Sequence, residues 1–544
     1  MKEVIIIGSG ISGLACAIGC ASRGIHVKLV SPGPSERAQS VMAAGGINAV
    51  TSHCEPGDSV ACHIEDTLRG GAWLGERKAV EGLCTRGEEI IRFLEKIGTV
   101  FTVDAEGQPM LRAFGGQSHK RTHYCGSATG KQIVSALVME TRRYEAQGLI
   151  TRVFWHRFHS VLLQDEICRG VLLLDERQPR LVPLLADAVV MAVGGQNALF
   201  GKTTGSTQCD GSAVGRLLMQ GAVLKNLEFI QYHPTTLETS MKRLLISEAV
   251  RGEGGRLFYI KDGRRVYFME DKYGPKGNLM TRDLLSREIA SAPGQVYLDI
   301  SFLDPWLIDQ RLGEVRELCA KYRGIDITRQ PIPVAPSVHF FMGGLAVHLN
   351  HETSLHRLYA VGECASLYHG ANRLGGNSLL AALYSGITAA EDIAEREVPG
   401  TPFRFDSLLA REEQALSDLY RTQSPYTAMQ LREYLARIMR DDMGIVRTAK
   451  GLAIGIGQVD EYLSACRQLR PDAGAPLSAD TSLRGILALG RACLSCAEYR
   501  RESRGAHYRE DHPQLSEDFA AATLVSYENG VFSVRADKEK CYEN

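Results

Sequence analysis

Met1-Lys-Glu-Val-Ile-Ile-Ile-Gly8-Ser-Gly10-Ile-Ser-Gly13-Leu-Ala-Cys-Ala-Ile18 opens the chain and decides its fold. The apolar run from Val4 predicts a strand, Gly-x-Gly-x-x-Gly a tight turn, and Leu14 to Ile18 the start of a helix. Gly8 permits the turn, and Gly10 lets a pyrophosphate approach the backbone. Gly13 lets helix and strand pack closely, so that the helix N-terminus faces the phosphates. The glycines alone would mark only a turn. Set between an N-terminal strand and a helix, they read as a dinucleotide cradle. A second strand at Val27 to Val30 completes the first half of a Rossmann-type unit. It ends in Ser31, where a dinucleotide fold of the simple NAD kind carries an acidic residue for the ribose, and this weakens an NAD reading.

The chain has 544 residues, long enough for about three or four domains. It is 44% hydrophobic and 23% charged with a net charge of -1, a balance that gives no electrostatic reason to bind nucleic acid or a membrane surface. No apolar run approaches the roughly 18 residues of a membrane span, and residues 4–7 are too few for a secretory core. The 14 cysteines are scattered. Cys16 and Cys20 fall at i, i+4 and read as small core residues. Cys493 and Cys496 form the one Cys-x-x-Cys, with no second pair and no following His, so neither a metal site nor a haem is expected. A reduced, cytoplasmic setting fits this usage. No iron–sulfur cluster or haem of the chain's own is expected to carry electrons away.

Further Gly-rich turns follow at Gly45-Gly46, Gly115-Gly116 and Gly194-Gly195, the last closing a predicted strand from Ala188 to Ala192. From about residue 226 histidine, arginine and aromatic residues gather near turns, as in Gln231-Tyr232-His233-Pro234. Residues 345–402 return to the first pattern, with a strand running into Gly362-Glu363 and a helix after Ser378. A Pro-rich break at Pro399 to Pro402 precedes a charged stretch of helical periodicity. The expected division is a nucleotide-binding domain at 1–225 and 345–402, an inserted domain at 226–344, a helical domain at 403–512 and a tail at 513–544.

Together these segments resemble the flavoprotein subunits of succinate dehydrogenase and fumarate reductase, a superfamily that includes L-aspartate oxidase. The motifs run in order from Gly8 to about Pro513. They include Gly-Gly-Ile-Asn at 45–48, Phe-Gly-Gly at 114–116, Gln-Tyr-His-Pro-Thr at 231–235 and Ser-Glu-x-x-Arg-Gly-Glu-Gly-Gly at 247–255. Thr-Arg-Asp at 281–283, His-x-x-Met-Gly-Gly at 339–344, Asn-Arg-Leu-Gly-Gly-Asn-Ser at 372–378 and Arg-Glu-Ser-Arg-Gly-Ala-His at 501–507 complete the series. The resemblance implies an α/β fold: a Rossmann-like FAD-binding domain, an inserted α+β capping domain and a C-terminal helical domain. It accounts for Ser31, since succinate dehydrogenases also carry Ser there. It implies an extended FAD, with Gly8, Gly10, Gly13 and Ser31 toward the dinucleotide end and Ser40, Gly45 and Gly46 along the flavin. Gly194, Gly195, Asp210 and Glu363 hold polar parts, and Arg373, Ser378 and Leu379 lie near the isoalloxazine.

A four-carbon dicarboxylate needs fixed donors at both ends. By resemblance His233, Ser247, His339 and Arg373 grip the carboxylates, with Ser247 where Thr is usual. Arg282 matches the family's proton donor. A free arginine has a pKa of about 12 or above, so it serves only if a relay restores its proton. Glu248 and Arg251 supply that relay by resemblance, and their spacing of three places both on one face of a helical turn.

Two residues refine the expectation. Phe114 stands where aspartate oxidases carry a Glu that meets the substrate ammonium, and succinate and fumarate enzymes carry Phe. Gln39 lies six residues before Gly45, where the complex-forming enzymes carry the His that bonds the flavin covalently. FAD is therefore expected to be noncovalent, which suits the reductive direction or a soluble enzyme. The leading expectation is a fumarate reductase or succinate dehydrogenase flavoprotein subunit with an iron–sulfur partner. It would be cytoplasmic and touch a membrane only through partner subunits. L-Aspartate oxidase is the alternative within the family. A noncatalytic flavin-binding scaffold is the alternative of another class, and the intact dicarboxylate clamp opposes it.

Overall fold

The computed structural model describes residues 2–126, 128–178, 180–240, 242–397, 403–420, 424–472 and 474–537. The Pro399 to Pro402 break lies outside them. The opening strand, Glu3–Ile7, is the centre of a five-stranded parallel sheet in the order Leu358–Ala360, Ala188–Met191, Glu3–Ile7, His26–Ser31, Ile150–Phe154. A central parallel strand is covered on both faces, which is why Val4 to Ile7 are all apolar and all buried. Residues far apart in sequence meet in this register: Ile5 pairs with Val189 on one side and Lys28 on the other.

The helix Ile11–Ala21 follows the glycine turn and packs against Asn377–Glu395. Their approach depends on small residues. A Cβ on Gly386 would lie 2.4 Å from the Ser12 carbonyl oxygen, and one on Gly19 2.7 Å from the Ala390 Cβ.

A second unit rises above the C-terminal ends of these strands. Its six-stranded antiparallel sheet runs Arg243–Leu245, Ile230–Glu238, Ile332–Phe341, Val296–Asp299, Arg256–Lys261, Arg264–Val266. Leu237, Leu257, Leu285, Leu298 and Ile308 give it a hydrophobic core of its own. The strands Ile230–Glu238 and Ile332–Phe341 pair with each other, and their ends lead back toward the parallel sheet. They are thus the elements that bring capping-unit side chains to the glycine loops.

Four helices, Asp406–Asp418, Ala428–Asp441, Ala449–Ala465 and Leu477–Tyr499, form the C-terminal helical part. The last of them lies against Ser212–Met219, where a Cβ on Gly215 would come within 1.9 Å of the Gly485 carbonyl oxygen. The tail, which carried little signal in sequence, forms a hairpin of Thr523–Glu528 and Val531–Ala536. It joins Leu224–Lys225, Gly344–Ala346 and Ala365–Ser366 in a separate five-stranded sheet.

Candidate active site

A cleft of about 340 Å³ runs from the first glycine turn to the capping sheet. At one end are Gly8, Gly10, Ser31 and Gly194, at the other Phe114, His233, Ser247, Glu248, Arg282, His339 and Arg373. Between them lie Ser40, Gly45, Gly46, Glu363, Ser378 and Leu379, and Asp210 lines a further wall.

The walls fit an extended dinucleotide. Gly10 has no side chain to cap the helix Ile11–Ala21, whose first N–H donates to Ser40 Oγ at a long 3.3 Å, and Gly10 and Ser12 line the cleft, so an anion there meets the helix N-terminus. Backbone crowds the same turn: a Cβ on Gly8 would sit 2.2 Å from the Ala192 carbonyl oxygen, at a φ of +111° that only glycine adopts easily. A second uncapped helix start, at Gly376 before Asn377–Glu395, faces the far end of the cleft. Glu363 is half-buried at the cleft wall and accepts the Phe341 N–H at 3.1 Å. Burial pushes its carboxyl up to about 7, against the opposing pull of that amide and of Arg373.

The capping end is strongly cationic. Arg282 opens the helix Arg282–Ala290 and donates Nε and Nη2 to Glu248 Oε2, at 3.2 and 3.0 Å. Glu248 precedes the short helix Ala249–Gly252, which turns Arg251 back so that Nη2 lies 3.8 Å from Glu248 Oε1. The same oxygen accepts the Gly115 N–H at 3.2 Å. Burial pushes the Glu248 carboxyl up, but Arg282 and Arg251 outweigh it and hold the group at about 2. Burial pulls Arg251 down from its usual value, with Glu248 opposing.

His233 and His339 meet edge to face, with ring centroids 5.4 Å apart. Burial and the charge of Arg282 hold both imidazoles well below the usual histidine range. Arg373 lies over the Phe340 ring at 4.3 Å and donates Nη2 to Gln231 Oε1 at 2.9 Å. Its Nε is buried without a hydrogen-bond partner among the described residues. Burial and repulsion from Arg282 bring it down to about 9, so it stays charged near neutrality. Three guanidiniums against one carboxylate leave an excess of two positive charges, which a dicarboxylate would neutralise.

Two family profiles match the sequence. The FAD binding domain profile covers residues 3–379, and the fumarate reductase flavoprotein C-terminal profile covers residues 432–541. The chain belongs to the succinate dehydrogenase and fumarate reductase flavoprotein family. It is an FAD-dependent oxidoreductase by that membership. It is 36% identical to the succinate dehydrogenase flavoprotein subunit of Bacillus subtilis, over 95% of this chain and 92% of the relative. It is 33% identical to an L-aspartate oxidase of a Nostoc species, over 96% and 93% of the two chains. An Escherichia coli quinol fumarate reductase chain superposes with a TM-score of 0.90 at 29% identity, covering 98% of this chain and 97% of that one.

Three residues expected at the site stand one layer back from the cleft wall. Gly13 and Gly195 are there for close packing: a Cβ on Gly13 would lie 2.0 Å from the Gly8 carbonyl oxygen, and one on Gly195 2.4 Å from Glu363 Oε1. Arg251 is fully buried behind Glu248 and reaches the cleft only through it. Sequence reasoning missed other wall residues: His156, Phe158 and His159 from a neighbouring antiparallel strand, Phe340 and His369 near Arg373, and Ser482 from the helical part. Phe340 is an unspecified position of the His-x-x-Met-Gly-Gly motif and the others belong to no glycine or charge motif, so only tertiary contact reveals them. Cys493 and Cys496 are free and buried inside Leu477–Tyr499, and burial pushes the Cys493 thiol up to about 12. This is the environment of an inert core thiol. Among the described residues no helix is long and apolar enough to cross a membrane.

Proposed function

We propose that the chain is the flavoprotein subunit of a fumarate reductase or succinate dehydrogenase and works mainly in the reductive direction. FAD, when bound, supplies hydride transfer at N5. His233, Ser247, His339 and Arg373 hold the two carboxylates of the substrate. Arg282 donates a proton to the alkene carbon that does not receive hydride, and Glu248 and Arg251 restore that proton. The order Arg282, Glu248, Arg251 supports this relay: Arg282 is hydrogen-bonded to Glu248 and Arg251 is ion-paired with it at 3.8 Å, and a carboxylate that stays ionised can pass a proton between two guanidiniums without storing it. Electrons come from a separate iron–sulfur subunit.

The observation that carries the substrate assignment is Phe114. Its ring is wedged between two glycines, with Cζ 3.1 Å from a Cβ built on Gly45 and its own Cβ 2.8 Å from one built on Gly375. Glu248, whose Oε1 accepts the N–H of the following residue, Gly115, is already paired with Arg282 and Arg251. An ammonium beside Phe114 would be buried without a partner, which costs several kcal/mol. Aspartate oxidation is the second reading, favoured by the likeness to the Nostoc enzyme and by Gln39. Gln39 cannot form the flavin bond that a His would, so the FAD is proposed to be noncovalent.

Phe114→Glu tests the assignment. It sets a like charge beside the substrate and should weaken fumarate binding by about tenfold or more, while admitting aspartate weakly. Unchanged kinetics with fumarate would remove Phe114 from the substrate pocket.

A further inference from the structure

Gln231 is 1% exposed and does not line the cleft, yet it touches two of the guanidiniums that do. Its side-chain carbonyl accepts Arg282 Nη1 at 3.2 Å and Arg373 Nη2 at 2.9 Å. Its amide nitrogen donates to Asn372 Oδ1 and to the Arg373 main-chain oxygen, both at 2.8 Å. Turning the amide over would set its N–H₂ against two cations and its oxygen against two acceptors, so one orientation is fixed. Asn372 extends the link by donating to Asp283 Oδ1 at 3.1 Å, in the residue after Arg282.

The consequence for Arg373 is specific. Among the described residues Gln231 Oε1 is the acceptor its guanidinium has, and its Nε is buried and unpartnered. One edge of the guanidinium is therefore tied from behind and the remainder is left for an anion. Arg282 is tied by the same oxygen, while Glu248 holds its other edge. The two cations repel, and the carbonyl dipole between them offsets part of that repulsion in a site where water cannot.

We propose that Gln231 is the positioning residue that sets the separation and orientation of Arg282 and Arg373, so that the proton donor and the carboxylate clamp address one substrate together. The proposal rests on the dicarboxylate reading above, and it adds a residue that acts on the substrate only through its neighbours.

A double-mutant cycle on the FAD-loaded protein tests it. The probe is malonate, a dicarboxylate with no CH–CH bond to oxidise, and the readout is its dissociation constant from the change in flavin absorbance. Gln231→Met keeps length and volume but removes both the acceptor and the donor. It should weaken malonate binding by about tenfold or more, with FAD content unchanged. In an Arg373→Met background the same substitution should matter by less than about twofold, because the group it acts through is gone. An equal loss in both backgrounds, or no loss in the first, would overturn the proposal. If Gln231→Met fails to retain FAD, Gln231→Asn, which draws the amide back by one methylene, goes through the same cycle with the same criteria. A wild-type flavin spectrum that ignores malonate, fumarate, succinate and aspartate alike would remove the dicarboxylate reading and the proposal with it. A wild type that responds, with an additive cycle, would remove the proposal alone.

Discussion

His233 lies 3.0 Å from the Thr235 carbonyl oxygen through Nδ1, and a carbonyl can only accept, so Nδ1 carries the proton. His339 Nδ1 faces the Thr204 hydroxyl at 3.0 Å, a group that can donate or accept. While the His233 ring is neutral, its Nε2 is a bare lone pair. A carboxylate needs a donor, so a bound dicarboxylate raises the imidazole pKa and takes up a proton. Arg282, Arg251 and Arg373 press His233 toward the neutral form in the free protein, so the uptake occurs on binding. Affinity is then greatest at low pH and is lost as pH rises through the raised pKa of the complex, by up to about tenfold per pH unit for one proton. Malonate titrations between about pH 6 and 8, above the carboxyl range, should show this rise in Kd, and a flat profile would contradict it. At this scale the charged residues were legible because they sit in ordered motifs. Gln231 and His369 were not. The first matters through contacts with residues 282 and 373, and the second lines the cleft with a buried, unpartnered Nδ1.

Elements were legible where periodicity and turn chemistry agree. The apolar run before Gly8 could only be a covered parallel strand, and Gly10 could only start a helix to which it lends no side-chain cap. The C-terminal hairpin was illegible because its partner strand, Leu224–Lys225, lies some three hundred residues earlier. A buried ionic cluster locks that junction. Glu228 Oε1 accepts Arg500 Nε at 2.6 Å and Thr523 Oγ1 at 2.7 Å, and Arg500 also donates to Glu502 at 2.8 Å. Arg447 donates to the Glu228 main-chain oxygen at 2.7 Å. Breaking a buried pair by removing one partner costs more than the pair contributes, because a charge is stranded. Glu228→Ala should therefore destabilise the protein by about 3–5 kcal/mol. Denaturant unfolding with a wild-type midpoint would show that the cluster does not hold the hairpin to the sheet. Gln at 228 should lose less, since its amide oxygen still accepts from Arg500 and Thr523.

Over the whole molecule, the parallel sheet and its helices hold the cofactor walls and bring Arg373, the antiparallel cap brings Arg282, Arg251 and both histidines, and the cleft exists only where the two meet. Neither half carries the chemistry alone. Gln39 lines this cleft where a covalent link would need a His. Trichloroacetic acid should thus release all flavin to the supernatant, and fluorescence in the denatured protein band would contradict noncovalent binding. The cleft is proposed to take a dicarboxylate with no ammonium. This is tested most directly by the steady-state specificity of the wild-type protein, measured as kcat/KM for fumarate with reduced viologen and for aspartate by peroxide release. A buried unpaired charge costs several kcal/mol, and each 1.4 kcal/mol is a factor of ten, so fumarate should be favoured by roughly a thousandfold. Aspartate turned over as efficiently as fumarate would contradict the account and make the chain an aspartate oxidase.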